Sequence, residues 1–327
     1  MKIRVPDYFV KFRCIADKCL DSCCIGWEIP IDEDTKAKYS HIDGELGREI
    51  ATKTQHGCFP LAENGRCAFL DNGGLCRIIS ALGDGYLCDI CREHPRYYGV
   101  GSEGIEGGLG LACEEAARTI LSLECLPKII EIERDVHYSD TDTFAKVSAH
   151  FKEVLSKGIF ESNPVEIISR YKAYAEIADE AAFRVSTTRQ SVKIPKATYT
   201  LLEAEDIERL IDGMFSVLSE CEYMSDELPR LLNLAKDVGT EDILKSLEKA
   251  KGLIYYFTHR YVREGVEDMS LGQRILFAIL SSLTIIALSK VTVSDEPLVR
   301  AAVLFSKNIE YSTENVEMIL DGLSEFL

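Results

Sequence analysis

The chain has 327 residues, of which 46% are hydrophobic and 28% charged, and its mean hydropathy is −0.02. These values are typical of a globular protein with one large domain or two smaller ones, and they exclude wholesale disorder. The formal net charge is −17, and lysines and arginines are interleaved with acidic residues throughout. Because the sequence offers no basic stretch for duplex phosphates or an anionic bilayer, we expect neither nucleic acid nor a membrane as a partner.

The predicted location is the cytoplasm. Residues 1–10 lack the apolar core and the small-residue cleavage site of a signal peptide. The most apolar stretch, residues 275–288, has the length of one buried helix and is interrupted by Ser281, Ser282 and Thr284. It is too short and too polar to predict a membrane span.

Cysteine is distributed very unevenly. Eleven of the twelve cysteines lie in the first 125 residues. In a reducing compartment such a block indicates thiolate ligands of zinc or iron rather than disulfides. We therefore predict a mainly α fold with two domains. Residues 1–135 form a small cysteine-rich domain with short strands around a metal or an iron–sulfur cluster, and residues 136–327 form an all-helical domain.

Short elements and turns are predicted in the first part. Residues 27–31 alternate like a brief strand, and Asp32 is a suitable start for a helix. Residues 99–104 match G-x-G-x-x-G, but more glycines follow and the next helix begins only near Cys113. A dinucleotide site needs that helix at once, so a glycine-rich hairpin over residues 97–111 is the preferred interpretation.

Helical periodicity dominates from residue 136 onward. The pattern predicts helices over residues 143–155, 164–183, 204–220, 226–238, 240–263, 271–288, 296–307 and 313–326.

The first thiol motif contains Cys14, Cys19, Cys23 and Cys24. Four thiols within 11 residues can converge on one ion or cluster if the chain turns between them. Adjacent side chains do not point the same way in a strand or a helix. Cys23 and Cys24 therefore serve two centres, or one of them binds metal and the other packs. The alternative is that some of the four are small buried hydrophobic residues.

The second motif contains Cys67, Cys76 and the CxxC pair Cys88 and Cys91. A CxxC pair is a compact hook for zinc, and it is also the redox motif of thioredoxin-like folds. The redox interpretation needs a long helix after the pair, which Pro95 would end too soon. His94 is predicted to be a polar surface residue or to support a ligand, rather than to bind metal itself.

Cys113 opens a predicted helix, whose N-terminus would stabilise a thiolate. Cys58, Cys125 and Cys221 have no nearby partners in the sequence and are predicted to be free.

These cysteines belong to an ordered set of segments within the first 120 residues: Val5-Pro6-x-Tyr8-Phe9-x-Lys11-Phe12-x-Cys14, Cys19-x3-Cys23-Cys24-x-Gly26-Trp27, Cys67-Ala68-Phe69-Leu70, Leu75-Cys76-x-Ile78, Leu87-Cys88-x-x-Cys91-Arg92-x-x-Pro95-Arg96 and Cys113-x-Glu115-Ala116-Ala117-Arg118. The set resembles the flagellin lysine-N-methylase family, whose cysteine block belongs to the wider group of zinc- or iron-chelating CxxxCC proteins. Ala68 and Glu114 stand where that family usually has proline, and neither change removes a thiol.

The resemblance implies methyl transfer from S-adenosylmethionine to lysine side chains of flagellin. It also implies a metal centre bound by the matched thiols: Cys14, Cys19, Cys23, Cys24, Cys67, Cys76, Cys88, Cys91 and Cys113. Nine thiols exceed one tetrahedral zinc, and they suit one [4Fe–4S] cluster with spare thiols or two centres. A neutral amine attacks the sulfonium directly, and the CxxxCxxC triplet of radical enzymes is absent from the motifs. A structural or cofactor-orienting centre is therefore favoured over a radical generator.

A carboxylate or a tyrosine beside the acceptor amine could help it to lose its proton. The helical part supplies several tyrosines for this role, and the sequence singles out none of them: Tyr171, Tyr174, Tyr255, Tyr256 and Tyr261.

The alternative function is a non-enzymatic metal- or cluster-binding protein with a helical interaction domain. The cysteine density supports both functions, and only the resemblance favours the enzyme.

Overall fold

The computed structural model describes residues 1–63, 65–101, 103–134, 145–188, 196–263 and 269–327. These residues form fourteen α-helices and six short strands, so the predicted mainly α fold is confirmed. The strands are β1 (Lys2–Pro6), β2 (Ile29–Pro30), β3 (Cys58–Phe59), β4 (Arg96–Gly101), β5 (Gly104–Leu109) and β6 (Ile129–Glu133).

Four of the strands form one mixed sheet in the order β4-β5-β1-β6. β1 lies in its interior, parallel to β5 and antiparallel to β6. β4 and β5 pair antiparallel from Arg96↔Leu109 to Gly101↔Gly104, which confirms the predicted hairpin. The glycines of β5 have a packing reason, because a Cβ at Gly108 would overlap the Tyr97 hydroxyl.

The cysteine-rich part contains short helices between its loops. They are α1 (Glu33–Tyr39), α2 (Gly44–Lys53), α3 (Arg77–Leu82), α4 (Asp89–Glu93) and α5 (Glu114–Leu121). Asp32 caps α1 as predicted, since its Oδ1 accepts a hydrogen bond from the Thr35 amide at 2.8 Å. Its Oδ2 accepts from the Asp89 amide at 2.9 Å. One carboxylate therefore holds the starts of α1 and α4 together.

The remaining helices are α6 (Ala145–Ser156), α7 (Pro164–Thr188), α8 (Ala204–Leu218), α9 (Glu227–Ala235), α10 (Thr240–Leu247), α11 (Lys251–Tyr261), α12 (Leu271–Val291), α13 (Pro297–Asn308) and α14 (Thr313–Leu323). They follow the sequence-based helices closely, although residues 143–144 lie outside the described residues. The helix predicted over residues 240–263 is wrong as one element, because it breaks between α10 and α11. The break allows Gly252 to approach the Ile120 carbonyl so closely that a Cβ would overlap it.

α12 is the central helix of the protein. Its length and composition would allow it to cross a membrane, but 89% of its most apolar window is buried inside the protein. The helices α7, α8, α9, α10, α11, α13 and α14 all contact it. The Ser282 hydroxyl donates to the Ala278 carbonyl at 2.8 Å, whereas the buried hydroxyls of Ser281 and Thr284 have no hydrogen-bond partner in the described part of the chain. α12 therefore acts as the axis around which the helical core packs.

The apolar core has two parts. A small cluster lies within residues 29–91, around Tyr39, Ile50 and Phe69. The large cluster contains the helices, but it also takes in Ile3 and Leu109 from the sheet. The sheet thus packs against the helical layer, and the thiol-bearing loops surround the smaller core. The division predicted at residue 135 concerns folding units and stays a prediction.

Candidate functional site

The nine predicted metal ligands fall into two groups according to which thiols interact electrostatically. We call the first thiol group A and the second thiol group B. Group A contains Cys14, Cys19, Cys23 and Cys113, and group B contains Cys24, Cys67, Cys76, Cys88 and Cys91. The adjacent residues Cys23 and Cys24 fall in different groups. Their side chains are hydrogen-bonded to each other, and Cys23 also interacts with Cys91, so the two groups meet at this pair. The assignment of Cys23 and Cys24 to separate centres stays a prediction.

Group A is assembled by the start of α5. Cys113 is the residue before this helix, and the side chain of Glu114 reaches back to the loop that follows Cys19. Glu114 Oε2 accepts hydrogen bonds from the amides of Leu20 at 2.8 Å and Asp21 at 3.2 Å. Arg118 in turn pairs with Glu114. Glu114, which stands where the family usually has proline, thus holds the Cys19–Cys23 loop against Cys113.

Group B is assembled by backbone pairing between loops. The Cys67 amide donates to the Cys24 carbonyl at 2.8 Å, and isolated β-bridges join Leu61 to Cys67 and Leu70 to Cys76. Cys88 and Cys91 come from the start and middle of α4, whose first amide is held by Asp32. Hydrogen bonds within the protein therefore hold residues that are far apart in the sequence beside one another without a bound ligand.

Burial has the largest effect on the pKa of four of these thiols, Cys19, Cys67, Cys76 and Cys113. It raises the pKa of Cys19 to about 12 and that of Cys67 to about 11. The pKa of Cys113 is also raised by burial, although the amides of Ala116 and Glu115 oppose the rise. The helix N-terminus thus stabilises the Cys113 thiolate, as the sequence predicted, but desolvation outweighs those two hydrogen bonds.

Two thiols, Cys24 and Cys88, have a lowered pKa instead. A hydrogen bond from the Cys23 side chain lowers the pKa of Cys24 to about 7, with help from Ser22, Lys307 and Arg66. A hydrogen bond from Cys91 lowers the pKa of Cys88 to about 7 in the same way. Each pair couples a thiol that ionises easily to one that does not. Metal binding to either group would consequently release protons from the partner thiols.

The thiols of each group lie near one another, but they do not point at one common position. The described residues include all twelve cysteines, each with a free thiol, and no three of their histidine, cysteine or carboxylate side chains are arranged to hold a metal ion. Four or five thiols per group fit zinc or iron by donor chemistry, although side-chain rotation would have to bring them together. The metal-bound character of this region and its nine ligands stay predictions. Cys58, Cys125 and Cys221 belong to neither group.

His94 lies half-buried and not on the surface, which contradicts one of the two sequence-based alternatives, while the other, support of a ligand, stays a prediction. Its ring is 6.4 Å from that of Trp27, measured between centroids, and its Nε2 is buried with no hydrogen-bond partner in the described part of the chain. Burial, with Lys307 and Arg96 nearby, lowers its pKa to about 4. The imidazole is therefore neutral at physiological pH.

Trp27 connects the thiol loops to the helical layer. Its Nε1 donates to the Cys23 carbonyl at 2.8 Å, and its ring stacks on that of Tyr311 with 4.9 Å between centroids. The Lys307 ammonium lies 5.4 Å from the Trp27 ring. The pKa of Tyr311 is raised to about 12, mainly by burial and also by Glu310, Cys113 and Cys23. Tyr311 thus lies between group A and Glu310.

Glu310 is the centre of a polar network that sequence reasoning missed. Its Oε2 accepts hydrogen bonds from the hydroxyls of Tyr256 at 2.6 Å and Tyr261 at 3.0 Å, and it lies 3.3 Å from Arg260 Nη1. Arg260 Nη1 also donates to the Tyr256 hydroxyl at 2.7 Å. Two of the five candidate tyrosines therefore share one carboxylate. No local pattern around Glu310 distinguishes it from other acids of the helical part.

The other candidate tyrosines lie elsewhere in the core. The Tyr171 hydroxyl is hydrogen-bonded to the Thr258 hydroxyl at 2.6 Å, and burial raises its pKa, although that hydrogen bond opposes the rise. Tyr174 is buried against Phe151, and Tyr255 stacks on His259. These three side chains fill space between helices, so the structure brings only Tyr256 and Tyr261 to an acid.

No protein-family model matches the chain, and no solved structure is similar to it. It is similar to curated proteins of Salmonella. It is 31% identical over 130 residues to a lysine-N-methylase of Salmonella typhimurium, which covers 36% of this chain and 32% of that protein. It is also 31% identical over 130 residues to the flagellar biosynthetic protein FliU of Salmonella muenchen, of which it covers 75%.

The chain belongs to the lysine-N-methylase family. The resemblance of its cysteine motifs to that family is thereby confirmed. The chain spans about a third of the length of the lysine-N-methylases from Salmonella typhimurium and Salmonella choleraesuis. The activity of those longer relatives is accordingly a proposal for this chain.

Proposed function

We propose that this protein is a cytoplasmic methyltransferase that transfers methyl groups from S-adenosylmethionine to lysine side chains of flagellin. Its membership of the lysine-N-methylase family carries the proposal. The names of the relatives supply the reaction and the link to the flagellum, and the two gathered thiol groups agree with a protein built around a metal or cluster.

The reaction is a direct displacement. The lysine nitrogen forms a bond to the methyl carbon while the bond from that carbon to the sulfonium breaks, which leaves S-adenosylhomocysteine. The amine must be neutral to attack, and a free lysine has a pKa of about 10.4. The protein therefore has to hold the two reactants at attack distance and accept a proton.

The thiols of groups A and B would hold zinc or an iron–sulfur cluster. Such a centre supplies folding free energy to loops that have only a small apolar core. Glu114 would keep the Cys19–Cys23 loop close to Cys113, and Asp32 would keep α4 close to α1. Because Cys23 and Cys24 are adjacent, binding in one group would restrict the other.

The deciding experiment uses metal-replete protein, S-adenosylmethionine and flagellin from the same cell. Mass spectrometry of flagellin lysines should show methyl groups that appear only when both protein and S-adenosylmethionine are present. A Cys221→Ser variant is the matched control, because Cys221 is a buried cysteine outside both thiol groups, and it should retain activity. Methylated lysines in the protein-free control would remove the support for the proposal.

The thiol groups by themselves also favour the alternative, a non-enzymatic metal- or cluster-binding protein. That function follows if the protein binds metal stoichiometrically but transfers no methyl group to any lysine of flagellin.

A further inference from the structure

A cleft of about 430 Å³ opens between β4, the end of α11, the start of α12 and α14. This volume is within the range of sites for small molecules. Three tyrosine rings line it, those of Tyr97, Tyr98 and Tyr261. Among the described residues its charged lining is balanced, with three guanidinium groups and three carboxylates from Arg260, Arg263, Arg274, Glu310, Glu317 and Asp321.

Some buried polar atoms of the cleft are unsatisfied: the Tyr97 hydroxyl has no hydrogen-bond partner in the described part of the chain, and neither has one oxygen of Glu310. Glu310 is 9% exposed, and its Oε2 is fully used by Tyr256, Tyr261 and Arg260. Its Oε1 is buried and receives no hydrogen bond in the described part of the chain. A buried carboxylate oxygen without a donor costs free energy. A ligand hydroxyl or ammonium group would recover that cost.

The aromatic and cationic groups of the cleft are already ordered. The Arg260 guanidinium lies 4.6 Å from the Tyr97 ring and 5.5 Å from the Tyr261 ring. Glu317 and Asp321 lie one turn apart on α14 and are exposed at the rim. A ligand would thus find flat rings and a guanidinium inside and two carboxylates at the mouth.

We infer that this cleft binds S-adenosylmethionine, an inference that rests on the proposed function. The adenine is a flat group for the tyrosine rings, and the amino-acid end carries one positive and one negative charge. A lining with both signs suits that end, while the rim carboxylates suit the sulfonium. A lysine side chain alone is a poorer occupant, because it offers no flat group to the tyrosine rings.

The position of the cleft agrees with this assignment. Glu310 precedes Tyr311, which stacks on Trp27 and interacts with Cys113 and Cys23. The adjacent residues Glu310 and Tyr311 therefore connect the cleft to thiol group A.

The test measures binding of S-adenosylmethionine and S-adenosylhomocysteine to the full, metal-replete chain by calorimetry. Val316→Trp places a bulky ring in the cleft, and Met318→Trp places the same ring at an exposed site on the same helix, outside the cleft. Val316→Trp should weaken binding by more than about tenfold, and Met318→Trp by less than about twofold. A double variant, Glu317→Gln with Asp321→Asn, removes only charge at an exposed rim and should weaken S-adenosylmethionine more than S-adenosylhomocysteine, which lacks the sulfonium.

The outcomes separate the site from the function. If the wild type binds S-adenosylmethionine and neither cleft variant weakens it, the cleft is the wrong site while the proposed methyltransferase stands. If the wild type binds neither compound, the cleft and the proposed function both fail. If Val316→Trp does not fold, as judged by circular dichroism, the charge variant decides alone.

Discussion

Lys307 Nζ donates a hydrogen bond to Asp21 Oδ1 at 2.5 Å, which joins α13 to the loop that carries Cys19, Cys23 and Cys24. The same ammonium donates to the Ser22 carbonyl at 3.2 Å. Arg300, two turns earlier on α13, pairs with the second oxygen of Asp21 and also with Glu227 on α9. The side chains of Lys307 and Asp21 are 8% and 17% exposed. The thiol loop is therefore attached to the helical layer by a mostly buried ionic contact.

Lys307→Met should destabilise the protein by about 1–3 kcal/mol, because it leaves Asp21 partly buried with Arg300 as its remaining cation. Urea denaturation followed by circular dichroism measures the change. Lys290→Met is the control, since Lys290 is exposed at the end of α12. Equal stability of the two variants would contradict the structural role given to the contact.

Glu114→Ala should loosen the loop from Cys19 to Cys23, because two amides lose their acceptor. The expected cost is about 1–3 kcal/mol, and the metal bound by group A should exchange faster. Glu115→Ala is the matched control, as Glu115 is the next residue on α5 and pairs only with Arg118 among the described contacts of its carboxylate. Competition with a coloured chelator gives the exchange rate. Indistinguishable rates for the two variants would show that Glu114 does not position the loop.

Cys23→Ser and Cys91→Ser should each lower metal content strongly, and Cys221→Ser should not. Cys23 belongs to group A and Cys91 to group B, so two centres would lose different metal equivalents in the two variants, and a single cluster would be lost in both. Elemental analysis and the visible spectrum of anaerobically purified protein distinguish these cases. Equal metal content in all three variants would contradict the assignment of ligands.

His259 should make the protein less stable in acid. Burial lowers its pKa from its ordinary 6.5 to about 4, with Lys152 and Arg263 acting in the same direction and Glu106 and the Gly107 carbonyl opposing them. Between those pH values the unfolded chain binds a proton that the folded chain does not. Stability is therefore greatest above pH 6.5 and falls as the pH drops to 4, by on the order of 3 kcal/mol.

The measurement compares the free energy of unfolding at pH 7 and pH 4.5 in the wild type and in His259→Gln, which can still donate to Gly107. The acid-induced loss should be smaller in the variant. His41→Gln, at an exposed histidine, should lose as much stability as the wild type. An unchanged loss in His259→Gln would assign the acid sensitivity to other groups.

Local patterns predicted most of the helices and the hairpin over residues 97–111, because helix period, caps and glycine spacing depend on neighbours in the sequence. The break before α11 could not be predicted in this way, since it depends on how closely Gly252 approaches Ile120. The raised pKa of Cys113 could not be predicted for a similar reason. The helix terminus is visible in the sequence, whereas the burial that outweighs it is a property of the assembled fold.

The candidate site was predicted in part. The gathering of the thiols could be anticipated from their spacing, whereas the division of Cys23 and Cys24 between two centres stays a prediction. The network around Glu310 joins residues 256, 260, 261 and 310, and the cleft adds residues from β4, more than 150 positions earlier. Nothing in the local sequence of these elements indicates that they meet. Only tertiary packing brings an acid, an arginine and two tyrosine hydroxyls into contact.

The interior position of β1 has a consequence for the order of assembly. Lys2 pairs with Glu133, and Ile3 pairs with Ile105, so β1 is translated more than a hundred residues before the strands with which it pairs. Eight of the nine predicted ligands are translated in that interval. Metal can thus reach the thiols of the nascent chain before β1 pairs with β5 and β6. That pairing completes the sheet only after the thiol-bearing loops have been synthesised.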